Sequence, residues 1–95
     1  MPRNEKQYDI RITTISCTGK CDAGHQVGET WIMRDGRTPG GICVGAYSAI
    51  HPVATMLMFG GGYPWREDQG VVQVACQDGA NPVIFKLERV EPEDG

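Results

Sequence analysis

Residues 41–59 read GICVGAYSAIHPVATMLMF, and this stretch decides the predicted fold. The spacing i, i+3, i+4 and i+7, which places side chains on one face of a helix, is filled by Cys43, Ala46, Tyr47 and Ile50. A helix is therefore predicted to begin near Cys43. Pro52 suits the first turn of a helix and not its interior, so two abutting helices are favoured, the second running through Phe59.

Predicted strands flank this helical stretch on both sides. Between Tyr8 and Ser16, apolar and polar residues alternate with the period of two that a half-buried strand shows, and residues 30–33 are β-branched and aromatic enough for a second strand. Residues 71–75 and 83–87 predict a third and a fourth. The order ββαββ with short connections predicts an α+β fold, a small, mainly antiparallel four-stranded sheet packed on one or two short helices.

The length of the chain and the composition of its two ends predict the number of domains and the location of the protein. A chain of 95 residues supports one domain, here residues 1–95, because two cores would each bury too little apolar surface. Residues 1–6 and 91–95 are polar and are expected to be flexible tails. The polar N-terminus lacks the apolar stretch of a secretion signal, so a cytoplasmic location is expected.

The net charge and the apolar segments of the chain indicate which classes of partner are expected. A formal net charge of -3 without a cluster of lysine and arginine argues against nucleic acid. The longest apolar run, from Ile50 to Phe59, is too short to cross a bilayer, which argues against a membrane partner. A small chain with two sheet edges and an apolar helix gains burial by pairing, so a homo-oligomer is expected. No small-molecule substrate can be named from these features.

The four cysteines and one histidine carry the distinctive chemistry. In a reducing compartment, ligand or catalytic roles outweigh disulfides. Cys17, Cys21 and His25 are predicted on a loop after the first strand, with the alternative that Cys17 continues that strand and faces the sheet. Cys43 opens the helix, and Cys76 closes the third strand. Thiolate and imidazole are ligands that zinc prefers, and iron-sulfur clusters use similar sets. The leading hypothesis is a metal-binding module in which Cys21, His25, Cys43 and Cys76 hold zinc or iron, with Cys17 as a possible further ligand, although the spacing matches no standard motif.

Two other hypotheses stay open. Cys43 could be the thiol of a redox or nucleophilic enzyme, since a helix N-terminus carries partial positive charge, with His25 as its base. Alternatively, Cys43 and Cys76 are small buried hydrophobes in a homo-oligomeric interaction subunit, because free cysteine is among the most buried residue types. The position of the cysteines at loops and element ends, next to a histidine, favours a functional site.

The remaining aromatic, histidine and glycine residues are expected to be structural. His51 precedes Pro52 and is predicted to cap the second helix, and Trp31 and Trp65 are predicted to be core residues. The glycine run at 60–62 is expected to fold back over the core. It lacks the lysine and the following helix of a phosphate-binding loop, so no nucleotide cofactor is predicted.

Five separated motifs resemble a family of small, roughly ninety-residue uncharacterised proteins frequent in anaerobic bacteria and archaea. They are Gly19-Lys20-Cys21, Gly24-His25-x-Val27-Gly28-Glu29, Gly41-Ile42-Cys43, Gly61-Gly62-Tyr63-Pro64-Trp65 and Ala75-Cys76-Gln77-Asp78. The resemblance runs from Tyr8 to Glu91, with Glu29 where the family commonly has aspartate and Tyr63 where it commonly has phenylalanine. It implies no known reaction. It implies that Cys21, His25, Cys43 and Cys76 form the site, whereas Cys17 matches no recurring position, and it associates the chain with an anaerobic redox or metal context.

Overall fold

A computed structural model of the chain describes residues 7–91. Its elements run β1 (Asp9–Cys17), β2 (Thr30–Met33), α1 (Val44–Met58), β3 (Val71–Ala75) and β4 (Val83–Val90). The predicted ββαββ order and the α+β class are confirmed. Residues 1–6 and 92–95, which include most of the predicted flexible tails, lie outside the described residues.

The four strands form one antiparallel sheet in the order β2-β1-β4-β3, so the two longest strands lie at its centre. Alternation along each strand sends one set of side chains to the helix-covered face. Ile10 and Ile12 of β1 meet Phe85 and Leu87 of β4 on that face, and all four are fully buried. This alternation is the period-two pattern that predicted the strands.

A β-bulge in β1 changes which side chains reach the buried face beyond Thr14. Thr14 pairs with Phe85, but the next pairs are Ser16 with Ile84 and Cys17 with Val83. The extra residue shifts the alternation by one position, because successive strand residues point to opposite faces. Cys17, the partner of buried Val83, therefore lies on the helix side of the sheet. It is the last residue of β1, so its placement on the loop is wrong and the alternative, that it continues the first strand, is confirmed.

Helix α1 is one continuous helix, so the expected pair of abutting helices is wrong. Pro52 lies inside it, at an exposed position. Proline removes one backbone hydrogen bond, to the carbonyl four residues earlier, and that residue, Ser48, is also exposed. Water can hydrate that carbonyl, which makes the interruption tolerable. His51 consequently lies within the helix, near the ring of Tyr47, and caps nothing.

The buried face of α1 packs across the sheet. Its buried residues follow the helical repeat and are Ala46, Ile50, Ala54, Leu57 and Met58. The small alanine side chains allow a close approach of the helix to the sheet, and Ile50 and Leu57 share one buried core with Phe85 and Leu87. Among residues 7–91, no helix combines the length and the apolar character that crossing a membrane requires.

The loop between α1 and β3 is anchored by side chains and folds back as expected. Nη2 of Arg89 donates to the carbonyl of Gly61 and, at 3.1 Å, to that of Gln69. Nε2 of Gln69 donates to the carbonyl of Tyr63 at 2.7 Å. Tyr63 packs against the core, but Trp65 stacks on the outer side of Tyr63 and is 75% exposed. The prediction of Trp65 as a core residue is therefore wrong. Trp31, half-buried, does pack against the core.

Candidate thiol site

Three of the four cysteines line one cavity. Cys21 from the β1–β2 loop, Cys43 before α1 and Cys76 after β3 border a space of about 230 Å³. We call this space the thiol cavity. Its wall also contains Asp22 and Asp78. Residues that are distant in sequence thus meet at the end of the sheet where β1 and β3 finish and α1 begins.

Cys43 is the N-cap residue of α1. Its backbone is extended (φ -65°, ψ 151°), and its Sγ accepts the backbone N–H of Ala46 at 3.4 Å. An N-cap side chain satisfies one of the backbone donors that the first turn leaves without a partner. The sulfur of Cys43 therefore lies at the N-terminal end of the helix, where it accepts a backbone hydrogen bond.

Cys76 continues β3 beyond its last assigned residue. Its backbone N–H donates to the carbonyl of Val83 at 2.9 Å, and its Sγ accepts the N–H of the same residue at 3.3 Å. The turn that follows is held by Asp78, whose Oδ1 accepts the N–H of Ala80 at 3.1 Å. Cys76 therefore has an N–H donor on its sulfur, as Cys43 does.

The loop that carries Cys21 is tied to this turn. Oδ1 of Asn81 accepts the backbone N–H of Lys20 at 3.0 Å, and the N–H of Thr18 donates to the carbonyl of Pro82 at 3.0 Å. Gly19, between them, has a left-handed φ of 76°, and a Cβ there would overlap Oδ1 of Asn81. Glycine at this position permits both the turn and the close approach.

His25 lies behind Cys43 and not on the thiol cavity. The ring is buried and packs edge-on against Trp31 and Phe85, with centroids 5.6 and 5.7 Å away. Its Nε2 accepts the backbone N–H of Cys43 at 3.2 Å. A backbone N–H can only donate, so Nε2 carries no proton, and Nδ1–H donates to Oε1 of Glu29 at 3.0 Å. Both ring nitrogens are occupied.

Glu29 is the site residue that the sequence analysis missed. Besides His25, its Oε1 accepts the backbone N–H of Gln26 at 2.9 Å and the hydroxyl of buried Thr14 at 3.3 Å. The carboxylate is therefore held between the loop and the middle of β1. The four-residue separation of His25 and Glu29 was a visible signal, but it identifies a pair only once the loop conformation is known.

Cys17 does not border the thiol cavity, although Cys21 and Cys76 lie near its thiol. Its Sγ donates to the carbonyl of His25 at 3.4 Å. Burial raises the pKa of the Cys17 thiol above its ordinary value, and the nearby Cys21, Glu29 and Cys76 raise it further, while a hydrogen bond from the backbone of Val27 acts in the opposite direction. These influences favour the neutral thiol of Cys17.

The fit of the site to a metal ion is partial. All four cysteines are free thiols and half-buried. In the arrangement that residues 7–91 adopt, no three histidine, cysteine or acidic side chains are gathered closely enough to share one ion. Ligation by His25, predicted from the sequence, would further require Nε2 to exchange the amide of Cys43 for the ion.

Comparison of the chain with family models, with curated proteins and with solved structures gave no significant match. The family resemblance drawn from the five motifs stays a prediction. The functional assignment therefore depends on the geometry of the thiol cavity.

Proposed function

We propose that this protein binds a thiophilic metal ion, zinc or iron, through the thiolates of Cys21, Cys43 and Cys76. The observation that carries the proposal is the convergence of these three thiols, from three separate elements, on one cavity. Soft sulfur ligands favour zinc, copper(I) and iron-sulfur centres over hard cations. The three sulfurs are not close enough together to coordinate one ion in the described arrangement. Binding would therefore require their side chains to move toward the ion.

Two features of the cavity support metal binding over plain packing. Buried hydrophobic cysteines would be expected fully inside the core, but every cysteine here is half-buried. The sulfurs of Cys43 and Cys76 each accept a backbone N–H, at 3.4 and 3.3 Å. Such hydrogen bonds stabilise the negative charge of a thiolate and tune metal-sulfur centres.

Elemental analysis by mass spectrometry tests the proposal, on protein purified anaerobically without an affinity metal. About one zinc or iron per chain is expected in the wild type, and none in a Cys43→Ala, Cys76→Ala double variant. Cys17→Ala is the matched control, because Cys17 does not border the cavity, and it should retain the metal. Wild-type protein without metal, before and after incubation with zinc or ferrous iron, would overturn the proposal.

A thiol-dependent reaction at Cys43 is the second candidate. The N–H of Ala46 at 3.4 Å from Sγ favours it, because a helix N-terminus stabilises a thiolate nucleophile. The geometry does not supply His25 as its base, since Nε2 accepts the backbone amide of Cys43 and not its thiol. Metal-free protein in which Cys43 is alkylated much faster than the other three cysteines would favour this candidate over metal binding.

A further inference from the structure

We infer that His25 is a positioning residue of the thiol cavity: it holds Cys43 in place through the backbone amide of that residue and does not ligate the metal ion. The inference rests on the proposed function and goes beyond it, because it assigns His25 a role different from that of a fourth ligand. It also assigns Glu29 a role, as the group that sets the tautomer of His25.

Both ring nitrogens of His25 already have partners. Nε2 is the nitrogen that a metal would use, and it already accepts the N–H of Cys43 at 3.2 Å. Nδ1 donates to Glu29 at 3.0 Å. A metal-bound histidine commonly donates its other nitrogen to a carboxylate, so the Glu29 contact alone would suit a ligand. His25 differs from a metal-bound histidine at Nε2, which accepts a backbone amide in place of an ion.

The ring of His25 is held rigidly. Its side chain is only 4% exposed, and Trp31 and Phe85 enclose the ring. To bind an ion in the thiol cavity, the ring would have to leave this enclosure, and the amide of Cys43 would lose its partner. The loss of that hydrogen bond opposes such a movement.

The contacts of His25 and Asn81 link the three segments that carry the thiols. His25 lies on the same β1–β2 loop as Cys21, so its contact with Cys43 joins that loop to the start of α1. The contact of Asn81 with Lys20 joins the same loop to the turn after Cys76. His25 therefore supplies the contact that locates the start of α1 relative to the loop.

Two substitutions separate positioning from ligation. In His25→Gln, Oε1 of the new side chain reaches the place of Nε2 and can accept the amide of Cys43. In His25→Asn, the shorter side chain reaches only the place of Nδ1 and leaves that amide without an acceptor. His51→Gln, at an exposed helical position, is the matched control. Thermal unfolding of each variant confirms that it is folded, and Glu29→Ala provides a second perturbation if His25→Asn does not fold.

The first measurement is hydrogen exchange of the Cys43 amide in metal-free protein, followed by NMR. We expect slow exchange in the wild type, His51→Gln and His25→Gln, and exchange at least about tenfold faster in His25→Asn or Glu29→Ala. An amide of Cys43 that exchanges equally fast in the wild type and in these two variants would overturn the inference. This readout requires no metal, so it is independent of the proposed function.

The second measurement is cobalt(II) binding, with cobalt as the spectroscopic probe. If His25 positions Cys43, His25→Gln keeps the wild-type absorption spectrum and affinity, and His25→Asn keeps the spectrum but binds about 10- to 100-fold more weakly. A changed spectrum in both variants would identify His25 as a ligand and overturn the inference. Absence of cobalt binding in every protein would refute the proposed function, and the exchange result would then decide the inference alone.

Discussion

The imidazole Nε2 of His25 lies 3.2 Å from the backbone nitrogen of Cys43 and accepts its hydrogen. This contact connects the β1–β2 loop with Cys43, the residue immediately before α1. Cys43 is the N-cap of the helix, so His25 restrains its backbone while its sulfur accepts the N–H of Ala46.

Replacing Cys43 by serine should separate helix capping from metal binding. Serine is a preferred N-cap residue, so the free energy of unfolding of metal-free Cys43→Ser should equal or exceed that of the wild type. Cys43→Ala should lose about 1 kcal/mol, because it removes the acceptor for Ala46. Urea unfolding in the presence of a chelator measures both. Equal stability of the alanine and serine variants would show that the cap contributes nothing.

Replacing Gly19 by alanine should destabilise the protein more than the same change at Gly24. Both residues have left-handed backbones, with φ of 76° and 81°, so each substitution carries the strain of that conformation, about 1–2 kcal/mol. Only at Gly19 does the added Cβ overlap Asn81 and displace its contact with Lys20. Chemical unfolding of the two variants gives the difference. Identical losses would contradict a role for the Asn81 contact.

Removing the hydroxyl of Tyr47 should stabilise the protein. This hydroxyl is buried and has no hydrogen-bond partner among the described residues. A buried polar group without a partner costs free energy, so Tyr47→Phe should raise the free energy of unfolding by about 1 kcal/mol. Thermal or urea unfolding measures the change. A loss of stability would instead show that the hydroxyl is hydrogen-bonded in solution, for example to an ordered water.

The stability of the fold should fall at alkaline pH through Cys17. Burial raises the pKa of its thiol in the folded state above the ordinary value of 9.0. As the pH rises past that value, the unfolded chain loses this proton first and is stabilised relative to the fold. The stabilising contribution of the Cys17 thiol is fully present below pH 9.0, the ordinary pKa of the thiol. Urea unfolding at about pH 8 and about pH 10 should show a larger decrease for the wild type than for Cys17→Ser, and an equal decrease would contradict the assignment.

A second copy of the chain is expected at the edge formed by β3. This strand lies at one end of the sheet, and its residues 71–75 carry no charge that would discourage pairing with another strand. Gln73→Lys should therefore shift the protein toward a monomer in sedimentation at micromolar concentration, whereas Gln26→Lys, in the β1–β2 loop, should not. A monomeric wild type would refute the expected homo-oligomer.

Local sequence patterns were sufficient for most of the fold. The alternation in β1 and β4 and the helical spacing from Cys43 to Ile50 reflect which side chains must leave water, and a single element expresses that requirement. Pro52 led to the wrong prediction of two helices because proline is disfavoured inside a helix by local preference. The free-energy cost of proline inside α1 is reduced because Pro52 and the carbonyl-bearing residue Ser48 are both exposed, and exposure is a property of the packed molecule. The prediction for Trp65 failed because exposure is likewise decided by packing, and its large apolar ring lies outside the core.

The sequence alone determined the element order, the antiparallel sheet and the residue types that could form a site. Only the tertiary structure decided which of those residues meet. It brought Cys21, Cys43 and Cys76 to one cavity and directed His25 to the amide of Cys43. Through a one-residue bulge it also turned Cys17 to the helix side of the sheet, without placing it on that cavity. The physical reason is the separation in sequence of the residues involved. Hydrophobic alternation relates residues that are close together in the chain. A cavity between three elements depends instead on strand register, on a left-handed turn at Gly19 and on polar contacts between residues far apart in the chain.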